Sequence, residues 1–175
     1  MKVKVWIPFI VMALLLAACG GNGGSNKAEM TEDQVKELVN EYSVGDFKNI
    51  SASITSDELI ITDEKQKKTV YTLPEAEFFV SIAPFENQTH PCGIHSLTGC
   101  QGEMVTEEFD VHIVDESGKV IIDEKMATLE NGFIDLWLPR DQKYQVTIKQ
   151  GDKQVTSEIT TFKGDNTCIT TMQLL

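Results

Sequence analysis

Positive charge is scarce in this chain: 15 lysines and arginines stand against 27 aspartates and glutamates, for a net charge of −12. Two of those 15, Lys2 and Lys4, fall within residues 1–18, which hold no acid, so the remainder is more acidic still. Such a surface repels nucleic acid and anionic lipid headgroups, which excludes both as partners held by charge. It is compatible with gathering cations, although a solvated exterior accounts for most of it. Long apolar runs are also scarce. The run over residues 5–16 is interrupted by Pro8 and is too short to span a membrane as an ordinary helix. Closely spaced cysteine pairs are missing as well: there is no Cys-x-x-Cys and no βαβ pattern around one, which argues against a thiol–disulfide oxidoreductase built on Cys92 and Cys100. No internal repeat is present.

What is there begins with a processing signal. Lys2 and Lys4 make a positive start, the apolar run follows, and Leu16-Ala17-Ala18-Cys19 looks like a bacterial lipobox, whose cysteine is diacylated on sulfur and becomes the new N-terminus. Residues 1–18 are therefore expected to be a lipoprotein signal peptide and Cys19 the lipidation site. That places the chain outside the cytoplasm, anchored to the bacterial cell membrane or envelope. A plain secretory peptide cut after Ala18 would export it equally. Residues 19–30, rich in glycine and asparagine, read as a flexible tether.

Thr31-Glu32-Asp33-Gln34 reads as a capping box, and Val35, Leu38, Val39 and Tyr42 recur at i, i+3, i+4 and i+7, so a helix is expected from here to a stop near Gly45. Residues 53–62 and 69–73 are β-prone and are separated by the polar run Lys65-Gln66-Lys67-Lys68, which predicts a hairpin. Helix plus hairpin make a small α+β unit over residues 31–75, small enough to pack on the rest or to support a homodimer. From Glu77 onward the pattern is all-β. Candidate strands at 78–85, 109–114, 120–123, 133–138, 144–149, 155–162 and 168–174 are separated by turn signals such as Asn131-Gly132 and Gly151-Asp152. The fold class expected is mainly β: a C-terminal β-sandwich over 76–175 carrying a Cys/His metal-binding loop, preceded by the small α+β unit.

One stretch breaks the strand series. Residues 86–102 carry Pro91 and three glycines without a strand pattern, a length uncommon in a compact domain unless it is functional or disordered. They also hold His90, Cys92, His95 and Cys100. If Cys19 is acylated, three cysteines remain, Cys92, Cys100 and Cys168, and three thiols cannot all pair within one exported chain. A metal ligand, a reactive thiol or an intermolecular bridge would explain the odd one. Thiolates suit Cu(I) and zinc, while three sulfurs are too few for an all-cysteine iron–sulfur cluster. Spacing does not choose between copper and zinc. A disulfide between Cys92 and Cys100, and a buried core thiol at Cys168, are the structural alternatives. His112 alternates onto the face opposite its apolar neighbours and reads as an exposed strand residue. Met104 and Met172 read as packing, and Glu103 as a surface acid or an acceptor for a ligand histidine.

His90-Pro91-Cys92-Gly93-Ile94-His95, followed by Cys100-Gln101-Gly102-Glu103 and later by Asp165-Asn166-Thr167-Cys168-Ile169-Thr170, resembles the CueP family of periplasmic copper-binding proteins. The resemblance is specific in these motifs and in their separation, and looser over the rest of the chain. It implies Cu(I) held on Cys92, Cys100 and Cys168, with His90 and His95 as auxiliary ligands or tuners of the thiolates. It also implies reduction of Cu(II) by cysteine thiols, a stoichiometric step that needs an outside thiol reductant to turn over. Copper resistance, or delivery to an envelope copper enzyme, would follow. The partners this implies are copper, that reductant and that acceptor, to which the lipobox at Cys19 adds the membrane. The lipobox departs from the family pattern and leaves the acceptor open. The reading that competes is a structural-zinc interaction module.

Overall fold

The computed structural model describes residues 26–175. The expected signal peptide and Cys19 lie outside the described residues. Helix α1 (Glu32–Val44) begins as its capping box dictates: Gln34 N–H donates to Thr31 Oγ1 at 3.3 Å and Thr31 N–H to Gln34 Oε1 at 3.0 Å. Val35 and Val39 on its apolar stripe are buried, and the Gly45 N–H closes the last turn on the Glu41 carbonyl at 2.9 Å.

The helix covers a five-stranded sheet of order β1-β4-β3-β2-β6, made of β1 (Asn26–Ala28), β2 (Ser51–Ile54), β3 (Glu58–Thr62), β4 (Lys68–Thr72) and β6 (His95–Ser96). Two expectations are corrected here. Residues 53–62 are two strands rather than one, because Thr55 Oγ1 accepts the Asp57 and Glu58 N–H groups at 3.3 and 3.0 Å and turns the chain, so the hairpin is a three-stranded meander. The stretch read as a tether contains β1, which pairs in parallel with β4.

The C-terminal strands form the expected sandwich. A four-stranded sheet of order β11-β10-β7-β8 comprises β7 (Glu108–Asp115), β8 (Val120–Ala127), β10 (Lys143–Gln150) and β11 (Lys153–Thr160). It packs on a three-stranded sheet of order β12-β5-β9, formed by β5 (Glu77–Ile82), β9 (Ile134–Pro139) and β12 (Cys168–Ile169). Phe78, Val80 and Ile82 of β5 and Ile134, Leu136 and Leu138 of β9 meet Phe109, Val111, Ile113, Tyr144, Val146 and Ile148 in one core. Each such burial contributes about 1.5–3 kcal/mol.

The three-stranded sheet is buried on both faces, and its second face positions the site. Alternate residues of β5 and β9, Phe79 and Trp137 among them, pack with the helix and the N-terminal sheet. Farther along the same face Ala83 and Phe133 pack with Cys168, Cys92 and Cys100. Between the two patches lies Asp135, whose carboxylate accepts from Ser43 Oγ at 2.6 Å and Ser81 Oγ at 2.5 Å. Burial raises its pKa from the ordinary 3.8, and the two hydroxyls offset part of that effect.

Candidate metal centre

The loop over residues 86–102 is fastened at both ends and in the middle. The Glu103 carboxylate accepts the backbone N–H of Glu86 at 2.6 Å and of Asn87 at 2.9 Å, and the Asn87 amide at 3.2 Å, which closes the loop mouth. These donors hold the Glu103 pKa below its usual range, the Asn87 backbone N–H first among them. Gly102 and Gly132 cross at the other side, where Gly102 N–H donates to the Asn131 carbonyl at 2.7 Å. A Cβ on Gly102 would stand 2.4 Å from the Gly132 oxygen, so only glycine fits. In the middle, β6 joins β2 through the pairs Ser53–Ser96 and Ile54–His95.

That pairing turns His95 inward. Its side chain is fully buried, against the rings of Phe133 at 4.6 Å and Phe79 at 6.2 Å between centroids. Its backbone N–H donates to Thr167 Oγ1 at 3.0 Å, and the Thr167 N–H and Cys168 N–H both donate to the Gly93 carbonyl, at 3.0 and 3.2 Å. These bonds bring β12, near the end of the chain, against the motif that precedes it by more than seventy residues.

The result is a compact donor set. One ligand atom each from Cys92, His95, Cys100 and Cys168 lies within 4.8 Å of the others. His95 Nδ1 is 3.5 Å from Cys168 Sγ, and Cys92 Sγ is 3.6 Å from Cys100 Sγ. Cys92 and Cys168 are joined as a disulfide with Cα atoms 5.6 Å apart, which leaves Cys100 as the free thiol among the described residues. The disulfide considered from the sequence, Cys92 with Cys100, is therefore not the one formed.

The chemistry of these donors fits a soft metal ion. Burial lowers the His95 pKa from 6.5 to about 4, with His90 adding to the effect, so the imidazole is neutral and no proton competes for it at ordinary pH. His95 Nε2 is buried without a hydrogen-bond partner. Leaving such a buried nitrogen unpaired costs about 1–3 kcal/mol, while the other ring nitrogen, Nδ1, is the one beside Cys168 Sγ.

The sequence treated the two histidines alike, and the structure separates them. His95 joins the sulfurs, whereas His90 stays outside that set and lines a neighbouring cavity, its ring edge-on to Phe133 at 6.4 Å. The separation comes from the β6–β2 pairing, which buries His95 and Leu97 on either side of Ser96; the sequence of so short a strand carries no such signal. His112 lies on β7 with Nδ1 3.2 Å from Asp123 Oδ1 on the exposed face, as expected. Met172 is buried in the sandwich core and Met104 packs beside it, so both serve packing. No described helix is long and apolar enough to cross a membrane.

Three comparisons bear on this centre. No curated protein matches the chain. A solved structure described as the crystal structure of S.CueP is 36% identical, superposes with a TM-score of 0.75, and is matched over 81% of this chain and 89% of its own. The family model for the periplasmic copper-binding protein CueP matches residues 33–173, which takes in the helix, both β regions and every donor of the centre. The chain belongs to the CueP family of periplasmic copper-binding proteins.

Proposed function

We propose that the protein holds Cu(I) on the thiolates of Cys92, Cys100 and Cys168, with the neutral imidazole of His95 as an added donor. The observation that carries this reading is the convergence of three sulfurs and one ring nitrogen within 4.8 Å from two distant stretches of chain. Soft sulfur donors favour monovalent copper, and a buried, largely apolar surround keeps water from competing. The Cys92–Cys168 disulfide supports a redox role for the same residues. Two Cu(II) ions each take one electron from these two thiolates, giving two Cu(I) and one disulfide, and any thiol protons pass to solvent. Cys100 and His95 are then left to hold one Cu(I), and the second Cu(I) is released to a solution ligand or an acceptor. A dithiol reductant must return two electrons and two protons to reopen the pair.

Lipid attachment at Cys19 would hold this chemistry at a membrane surface, a reading supported by the Leu16-Ala17-Ala18-Cys19 sequence. Copper held there serves resistance or delivery to an envelope copper enzyme. The Cys3His donor set also suits structural zinc, which is the second reading.

The test is anaerobic titration of the reduced protein with Cu(I) against a competing chelator, then addition of Cu(II) with a count of free thiols. Tight one-to-one Cu(I) binding is expected, with two thiols lost for every two Cu(I) formed. Cys168→Ser should weaken Cu(I) by about 100-fold or more. A preference for zinc with the thiols intact would leave the structural-metal reading in place.

A further inference from the structure

The cavity next to the sulfur cluster, about 360 Å³, is lined by Gln88, Thr89, His90, Gln101, Gly102 and Glu103. Its two walls are the chain segments that lead directly into the cysteines. His90 lies two residues before Cys92, and Gln101 follows Cys100. Phe133 is shared, because His90 packs edge-on to the same ring that His95 lies against. Of the four inner donors, His95 and Cys168 are buried, so Cys92 and Cys100 are the ones a solute reaches first.

The donors of the outer cavity differ in kind from those inside. They are one imidazole, two side-chain amides, a hydroxyl and a carboxylate, with no sulfur. Glu103 is fixed at the cavity wall by N–H donors from Glu86 and Asn87, which keep its carboxylate negatively charged beside His90 in the lining. Nitrogen and oxygen donors with room for water match the tetragonal preference of Cu(II), whereas the inner thiolates match Cu(I).

Resting on the copper reading above, we propose that this cavity is a separate capture site for Cu(II), centred on His90 and Glu103, from which copper passes to the sulfurs. The two sites are graded by softness. Divalent copper is held by nitrogen and oxygen until it is reduced, and the monovalent ion prefers the sulfur cluster, to which His90 and Gln101 lead along the chain. The capture step itself moves no electrons. The same grading explains the separation of the two histidines, since His95 completes the soft site and His90 supplies the nitrogen of the harder one.

The experiment uses the chain with its Cys92–Cys168 disulfide closed and both Cys19→Ser and Cys100→Ser, so that no thiol can reduce or bind the metal. One equivalent of Cu(II) is added and followed by electron paramagnetic resonance. The expected result is an axial Cu(II) signal with modulation from a single imidazole nitrogen. His90→Gln should lower the affinity at least tenfold, and Glu103→Gln should lower it by a smaller factor. His112→Gln, on the far exposed sheet, should leave the signal in place. The proposal is overturned if His90→Gln leaves signal and affinity as they were, or if His112→Gln removes them. The same His90→Gln substitution is then read against Cu(I) on reduced protein with all three cysteines. An equal loss there would put His90 in the sulfur site and overturn the two-site arrangement. Failure of the reduced protein to bind Cu(I) at all would instead defeat the copper reading of the cysteines, whatever the Cu(II) signal shows.

Discussion

Opening the Cys92–Cys168 disulfide should weaken the fold by a large and calculable amount, and Cu(I) should restore it. The two cysteines are 76 residues apart, so the bond closes most of the C-terminal half into one loop. Chain-entropy arguments assign a loop of that size about 4–5 kcal/mol, less whatever order the reduced chain keeps. For a domain of this size 1 kcal/mol moves the melting point by roughly 2–4 °C, which makes the expected fall roughly 8–20 °C. Cu(I) bound to the same cysteines ties the same segments together. At a free concentration of 100 times its dissociation constant it returns about 2.7 kcal/mol by mass action. The assay is urea or thermal unfolding under anaerobic conditions, on oxidised, reduced and Cu(I)-loaded protein in turn. An unchanged midpoint on reduction would mean that the hydrogen bonds from Thr167 and Cys168 to the Gly93 carbonyl hold the loop by themselves. A reduced protein that Cu(I) fails to stabilise would refute the idea that these sulfurs share one ion.

Other substitutions separate binding from stability. His95→Leu removes the unpartnered Nε2 and should leave the empty protein as stable or up to about 1–3 kcal/mol more stable, while Cu(I) affinity falls at least tenfold; a clear drop in the unfolding midpoint of the empty protein would contradict this. Gly102→Ala forces a methyl group against the Gly132 backbone and should cost about 1–3 kcal/mol, read as a lower urea midpoint. Asp135 has a folded pKa above its ordinary 3.8, so the folded state binds its proton more tightly than the unfolded one, and stability falls as pH rises from 3.8 through the folded value. Asp135→Asn should remove that fall, giving a flatter midpoint-against-pH curve from pH 4 upward; an unaltered slope would assign the pH dependence elsewhere.

Helix α1 and the strands of the sandwich were legible in the sequence because each carries its own signal: a capping box with an i, i+3, i+4 stripe, or alternation bounded by Gly and Asp turns. The cysteine set was legible from an odd count and from motifs. What escaped was decided by partners distant in sequence. Strand β1 is three residues long and β6 only two, too short for any period, and each exists through pairing with β4 or β2. Asp135 looks like an outward-facing acid on an alternating strand, and is buried because a third layer covers that face. The sequence placed the odd thiol correctly as a problem but could not assign the pair. Cys92 and Cys100 are close along the chain, yet Cys92 bonds Cys168 because β12 lies beside β5.

The position of β12 has a consequence for when the protein becomes able to take up metal. Its two residues, Cys168 and Ile169, are among the last of 175, and they pair with β5 only after everything between has been laid down. A chain destined for the periplasm is made and moved N-terminus first. Until its final segment has followed, it presents two cysteines on an open loop and no third sulfur beside them. The complete donor set proposed for copper therefore exists only once Cys168 and Ile169 have docked on β5.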